Sequence, residues 1–283
     1  LFPRLASGRF VQGVCMSKKP YVARPEDGVA WITGASSGIG AAVAQRLAAA
    51  GFTVAITARR EEELAGVAAD ASGPGRIVPF PGDVTDAAAM EAVVGRIETE
   101  LGPIALAILN AGVYLPVTGD ALDRANFDKT FDVNIRGTVN CLIPASRPML
   151  ARGRGQIAIV ASVAGYFGLP TAASYGASKA ALINLAEALK FDFDNQGLTI
   201  QVIAPGFVDT PATADNPFPM PYLMSVGKAA RRLVEGLQSG RFEVTFPRRF
   251  TYALKVIRVL PYWAFFPLIG SATGWNKPKS KDE

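Results

Sequence analysis

The sequence predicts an α/β protein built on one doubly wound parallel sheet with helices on both faces. Three observations predict it. Short apolar runs alternate with longer helix-patterned stretches from residue 28 to about residue 246. Several of these runs are apolar at nearly every position, as strands covered on both faces must be. A glycine-rich turn joins the first run directly to the first helical stretch.

The elements follow in order. Residues 29–32 form a short apolar strand, and the Ala-rich stretch 41–50 is a helix that Gly51 ends. Residues 52–57 are a second strand, followed by a charged helix from about Arg60. Residues 77–80 are a third strand, and 86–100 a helix with Asp86 as its N-cap. Residues 104–109 are a fourth strand, apolar enough for the centre of the sheet. One long helical region covers 124–152, and 156–160 is a fifth strand. Residues 171–195 are helical, 198–203 a sixth strand, 225–238 a helix and 242–246 a last strand. No break separates two domains, so 26–247 reads as a single Rossmann-like domain. Residues 1–25 read as a disordered leader, of which 1–15 could be upstream sequence before a start at Met16. Residues 248–283 read as a basic amphipathic C-terminal extension.

Composition excludes several function classes. The chain of 283 residues is 49% apolar and 19% charged, which suits a sizeable core and not a disordered protein. Its net charge of +5 belongs to the ends. Residues 1–24 hold five basic residues and no acid, and 248–283 hold seven basic residues against Asp282 and Glu283. The body between is net negative, which argues against nucleic-acid binding. The two cysteines, Cys15 and Cys141, form no CxxC pair, so neither a disulfide framework nor a metal site is expected, and the compartment is a reducing one, the cytoplasm. Cys141 reads as a small core residue. With no histidine, a His-based triad is excluded, and acid–base chemistry falls to Tyr, Lys, Asp, Glu or Cys. No run of 18 apolar residues predicts a transmembrane helix.

The turn after the first strand is TGASSGIG, residues 33–40. Gly34 permits a sharp turn, Gly38 lets backbone approach a pyrophosphate, and Gly40 lets the helix pack on the sheet. Ser36, Ser37 and Ile39 complete the turn, and the helix N-terminus offers N–H groups to an anion. A plain strand–helix turn is the alternative. The second strand ends in Ala58-Arg59-Arg60, where an acid would bind a free ribose 2′-hydroxyl. Two arginines there favour an added phosphate, and cations at a helix N-terminus oppose its dipole unless an anion joins them. NADP(H) is therefore the expected cofactor.

Tyr175 and Lys179 are four apart on a predicted helix and share a face. An ammonium beside a phenol favours the phenolate and so makes it a usable base. Together with Asp83 in GDVTD, Asn110-Ala111-Gly112, Asn134 in DVNIRG, Ser162 in ASVAG and Pro205-Gly206, these motifs resemble the short-chain dehydrogenase/reductase family, in its short-subunit branch. The resemblance covers residues 29–210. It implies a carbonyl–alcohol oxidoreductase in which Tyr175 donates or removes the hydroxyl proton. Lys179 would lower the pKa of Tyr175 and hold the nicotinamide ribose. Ser162 would orient the carbonyl oxygen, and Asn134 would hold a water in a proton relay to Lys179. Asp83 and Val84 would contact adenine, Asn110, Ala111 and Gly112 would line the cofactor cleft, Gly206, Val208 and Thr210 would meet the carboxamide, and Pro205 would be a further cofactor contact. Each residue alone has a plainer alternative: an ordinary helix-surface pair, a turn serine, a capping acid.

By the same resemblance, residues 207–227 stand where the family carries a substrate lid. Phe218, Met220, Tyr222, Leu223 and Met224, with Tyr114, Leu115, Tyr166 and Phe167, point to a hydrophobic ketone or alcohol. Packing of the loop onto the body is the alternative. The ending FEVTFPRRF lacks the DGG-type pattern of bacterial 3-oxoacyl carrier-protein reductases. It is closer to reductases of lipid or steroid ketones such as the 3-ketosphinganine reductases. The basic aromatic tail fits an anionic membrane surface, a cover over the cleft, or a subunit contact. The family resemblance implies a homodimer or homotetramer. Two other function classes stay open: a non-catalytic NADP(H)-binding regulator, and a membrane-surface interaction protein.

Overall fold

Every side chain of Val29–Thr33 is buried, which makes β1 a central strand. The computed structural model describes residues 19–213 and 220–275. Within them the chain runs β1, α1 (Gly38–Ala49), β2 (Thr53–Thr57), α2 (Glu61–Ala69), β3 (Arg76–Pro79), α3 (Ala87–Glu100) and β4 (Ile104–Leu109). It continues through α4 (Arg124–Phe131), α5 (Gly137–Arg152), β5 (Gly155–Val160), α6 (Ala173–Asn195), β6 (Leu198–Pro205), β7 (Val208–Asp209) and β8 (Met224–Ser225). Last come α7 (Val226–Gln238), β9 (Glu243–Phe246), α8 (Arg248–Arg258) and α9 (Tyr262–Thr273).

Seven strands form one parallel sheet in the order β3-β2-β1-β4-β5-β6-β9. Strand alternation sends successive side chains to opposite faces. Ala30 and Ile32 join Val43, Leu47, Ala229 and Leu233 on the face covered by α1 and α7. Val29 and Trp31 join Met90, Val93, Cys141, Met149 and Leu182 on the face covered by α3, α5 and α6. This is the doubly wound architecture expected, with Cys141 in the core. The order reverses between β1 and β4, and the crevice at their carboxyl ends is where such sheets bind ligands.

A buried amide pair ties the sheet to its surroundings. Gln156 on β5 donates to Gln201 Oε1 on β6 (2.7 Å) and to the Leu237 carbonyl (2.9 Å). It accepts from the Ala23 N–H at 2.9 Å. The end of the leader expected over residues 1–25 joins the body: Ala23 is buried and bonded to Gln156. Residues 1–18 of that leader lie outside the described residues.

Local differences from the sequence reading have local reasons. The single helix expected over 124–152 is α4, a π-helical turn Asp132–Arg136, and α5, continuous but with a shifted hydrogen-bond ladder at Asn134. The sixth strand runs on to Pro205, because β9 pairs with it as far as Phe246. The stretch read as irregular after residue 207 contains the short parallel pair β7–β8. The described part of the tail, residues 248–275, holds two helices. α8 turns Thr251 and Leu254 inward, where Leu254 meets Val163, Tyr166 and Ala204.

Candidate active site

A cavity of about 390 Å³ opens at the carboxyl ends of β1, β4, β5 and β6. The turn after β1 forms one end of it. Gly34 has φ +65°, and a Cβ there would lie 2.7 Å from the Ala111 Cα. A Cβ on Gly40 would lie 2.4 Å from the Gly34 carbonyl oxygen and 2.7 Å from Asn110 Nδ2. Gly40 thus makes room for the turn and for Asn110; expected among the cofactor contacts, it is buried behind the turn and does not line the cavity. Asn110 explains the crowding: its side-chain amide donates to the carbonyls of Thr33 and Gly34, each at 3.0 Å. Thr33 Oγ1 in turn accepts from the N–H groups of Asn110 (3.0 Å) and Ala111 (3.1 Å). Thr33 opens the TGASSGIG string but was not singled out from sequence; its hydroxyl locks the first and fourth strand ends together.

Gly34, Ser36, Ser37, Gly38 and Ile39 all face the cavity, as do Ala58, Arg59, Arg60, Asp83 and Val84. Arg60 donates to Ser36 Oγ at 3.3 Å and pairs with Glu63 at 2.6 Å, so part of its charge is met within α2. Arg59 makes no ion pair among the described residues. Asp83 accepts from the Thr85 N–H and hydroxyl, at 2.9 and 2.8 Å, which is the turn-acid alternative realised at the cavity wall. Asn110, Ala111, Gly112, Pro205, Gly206, Val208 and Thr210 line the remainder of this side.

Three of the four residues named for catalysis share the far wall. Ser162 lies two residues past the end of β5 and caps a 3-10 turn, its Oγ accepting from the Ala164 N–H at 3.1 Å. Tyr175 and Lys179 lie on one face of α6, with the Lys179 ammonium 5.6 Å from the Tyr175 ring centroid. Lys179 is buried and donates to the Val160 carbonyl at 2.8 Å. Burial pushes its pKa from 10.5 down to about 8. Tyr175 departs from the expected direction. Desolvation holds its phenol above the ordinary tyrosine range, and a hydrogen bond with Ser162 pulls back against that rise. The lysine was expected to lower this pKa; the burial that brings the two together works the other way.

Asn134 does not reach the cavity. It is fully buried in the π-helical turn. Its Oδ1 accepts from the Val113 N–H (2.8 Å), and its Nδ2 donates to the Val113 carbonyl (3.0 Å) and Ser178 Oγ (2.9 Å). It therefore braces the segment after β4 against α6. Gly112 closes the gap between them: a Cβ there would stand 3.2 Å from Asn134 Oδ1 and 3.3 Å from Lys179 Nζ.

Tyr114 is placed more sharply than sequence suggested. Its ring meets Tyr175 edge-on at 5.1 Å, and its hydroxyl shares a 2.8 Å hydrogen bond with Thr171 Oγ1. Thr171 has φ +60°, a costly conformation for a β-branched residue, at the threshold of α6. Nothing local in the sequence announces that strain. Tyr166 and Phe167 are corrected: neither lines the cavity. Tyr166 donates to Glu243 Oε1 at 2.6 Å, and Phe167 stacks edge-on with Phe265 of α9 at 5.2 Å. Leu115 is absent from the cavity wall as well. Of the lid, Phe218 lies outside the described residues, and Met220, Tyr222, Leu223 and Met224 do not line the cavity; Phe207 and Pro211 do.

A profile of the short chain dehydrogenase family matches residues 28–218. An uncharacterised oxidoreductase of Myxococcus xanthus is 35% identical over 233 residues, covering 82% of this chain and 92% of that protein. An A-factor type gamma-butyrolactone 1′-reductase of Streptomyces virginiae is 36% identical over 192 residues, covering 67% of this chain and 75% of its own. A 3-oxoacyl-acyl-carrier-protein reductase of Mycobacterium bovis is 32% identical over 197 residues, covering 70% and 74%. A solved structure of a short chain dehydrogenase/reductase family protein superposes with a TM-score of 0.67 at 28% identity, over 79% of this chain and 95% of that one. The cradle of Gly34, Ser36, Ser37 and Gly38 at the start of α1 fits the nicotinamide dinucleotide that such oxidoreductases use. On fold, motif order and relatives together, this chain belongs to the short-chain dehydrogenase/reductase family of oxidoreductases.

Proposed function

We propose that the protein is an NADP(H)-dependent carbonyl reductase or alcohol dehydrogenase acting on a hydrophobic substrate. One observation carries the reading: Ser162, Tyr175 and Lys179 share a cavity with the glycine turn and with Arg59 and Arg60. The cavity-lining turn residues Gly34, Ser36, Ser37, Gly38 and Ile39 would hold the pyrophosphate, and Arg59 with Arg60 the 2′-phosphate. When bound, the nicotinamide supplies or accepts the hydride.

The chain's own residues handle the proton. Ser162 donates its hydroxyl hydrogen to the substrate oxygen and fixes its position. Tyr175, kept protonated by burial, is suited to give its phenolic proton to the same oxygen as a carbonyl becomes an alcohol. The Lys179 ammonium stabilises the phenolate that remains and holds the ribose. Asn134, behind Lys179, positions the Val113 backbone and α6. Val113, Tyr114, Leu169 and Phe207 provide an apolar wall for a lipid-like or steroid-like ketone. We further read the enzyme as a cytoplasmic homodimer or homotetramer.

The test is Tyr175→Phe. Turnover in an NADPH-oxidation screen over ketones graded by chain length and ring size should vanish, while NADPH binding by fluorescence titration persists. Substantial residual turnover would refute the role given to Tyr175.

A further inference from the structure

α9 has no charged residue, and an uncharged helix that is apolar all round is normally covered on every side. Here only one face is covered. Phe265 and Ile269 are buried, with Phe265 against Phe167. The flank beside it is open: Trp263 is 81% exposed, Tyr262 77% and Phe266 64%. Val259, in the turn leading into α9, is 80% exposed, and Val256 near the end of α8 is exposed as well. Tyr262 and Phe266 stack at 5.5 Å, so the corner is preorganised. It is also fastened to the body, because Phe250 of α8 meets Phe207 at 5.9 Å and Tyr222 at 5.7 Å.

Charge says what covers it. Between Glu243 and Asp282 the sequence has no acid, while the body is net negative. Lys255 is committed to Glu243. Arg248, Arg249 and Arg258 are exposed and form no ion pair among the described residues. A basic segment without an acid of its own, bearing open Trp and Tyr rings, matches the headgroup region of an anionic bilayer. The same face of a second copy would bring like charges together. No helix among the described residues is long and apolar enough to cross a membrane, so the contact is one of lying on it.

We infer that the α8–α9 corner is an interfacial docking surface for anionic lipid, with Trp263, Tyr262, Phe266 and Val259 entering the headgroup layer and the three arginines contacting lipid phosphates. This stands independently of the catalytic reading.

The experiment uses the full chain with sucrose-loaded vesicles, either pure phosphatidylcholine or with about one third phosphatidylglycerol. Co-sedimentation with the phosphatidylglycerol vesicles is expected, with little on pure phosphatidylcholine. Raising salt from about 0.1 to about 0.5 M should weaken it. Trp263→Ser with Phe266→Ser, both at exposed positions, should lower the vesicle partition about tenfold or more. Arg248→Gln, Arg249→Gln and Arg258→Gln together should do the same. Should the aromatic variant fail to fold, the charge variant and the salt series carry the test. Equal sedimentation of wild type and variants, or equal partition onto both vesicle types, overturns the inference. So does a drop in sedimentation coefficient on Trp263→Ser without lipid, which would assign the corner to a second copy.

Discussion

Lys179→Met tests the electrostatics of the site with a number attached. The lysine is 3% exposed and, among the described residues, its ammonium meets only the Val160 carbonyl by hydrogen bond and the Tyr175 ring, with no carboxylate, so desolvation dominates its titration. A pKa moved from 10.5 to about 8 makes the folded state carry a charge penalty of about 3 kcal/mol. The sign follows from the direction. The penalty is fully present below about pH 8, and it disappears as the pH rises toward 10.5 and the folded and unfolded states lose the same proton. At pH 9 roughly 2 kcal/mol should remain. The methionine variant carries no such term but loses the bond to Val160, about 1.5–3 kcal/mol. The two stabilities at pH 7 should therefore be similar, while the wild type gains on the variant by roughly 1 kcal/mol between pH 7 and 9. Urea unfolding of both proteins at pH 7, 8 and 9 measures this, and other titrating groups cancel in the difference. A difference that stays flat with pH, or moves the other way, would show that Lys179 is not desolvated as its burial implies.

Three further outcomes are expected. Arg59→Ala with Arg60→Ala should lower kcat/KM for NADPH by about 10-fold or more, from loss of charge-assisted phosphate contacts, and leave NADH nearly unchanged; a parallel loss for both cofactors would sink the 2′-phosphate reading. Gly40→Ala forces a Cβ to 2.4 Å from the Gly34 carbonyl, so it should destabilise the fold by about 1–3 kcal/mol and weaken NADPH binding in titrations. Gln156→Leu strands the Ala23 N–H, Gln201 Oε1 and the Leu237 carbonyl, and should cost about 1–3 kcal/mol in urea unfolding with turnover kept; an unchanged midpoint would mean that water replaces the amide.

What the sequence determined by itself is the local and the periodic. Strand runs, the glycine turn and the four-residue spacing of Tyr175 and Lys179 are short-range patterns with narrow backbone solutions, so they were legible without a neighbour in view. Thr33 sits in plain sight within that turn, but its two accepted hydrogen bonds come from the segment just past β4, 77 and 78 residues away. Only the tertiary structure decided the direction of Tyr175's pKa, because desolvation depends on what closes over the phenol and not on the lysine one turn along. The same holds for Asn134, which packing drew behind the wall, and for Tyr166 and Phe167, which anchor β9 and α9 instead of lining the cavity. The composition of the tail announced an apolar basic segment. Which of its aromatics are spent on the core and which are left open was settled by where α8 and α9 come to rest, since burial is a relation between distant parts of the chain.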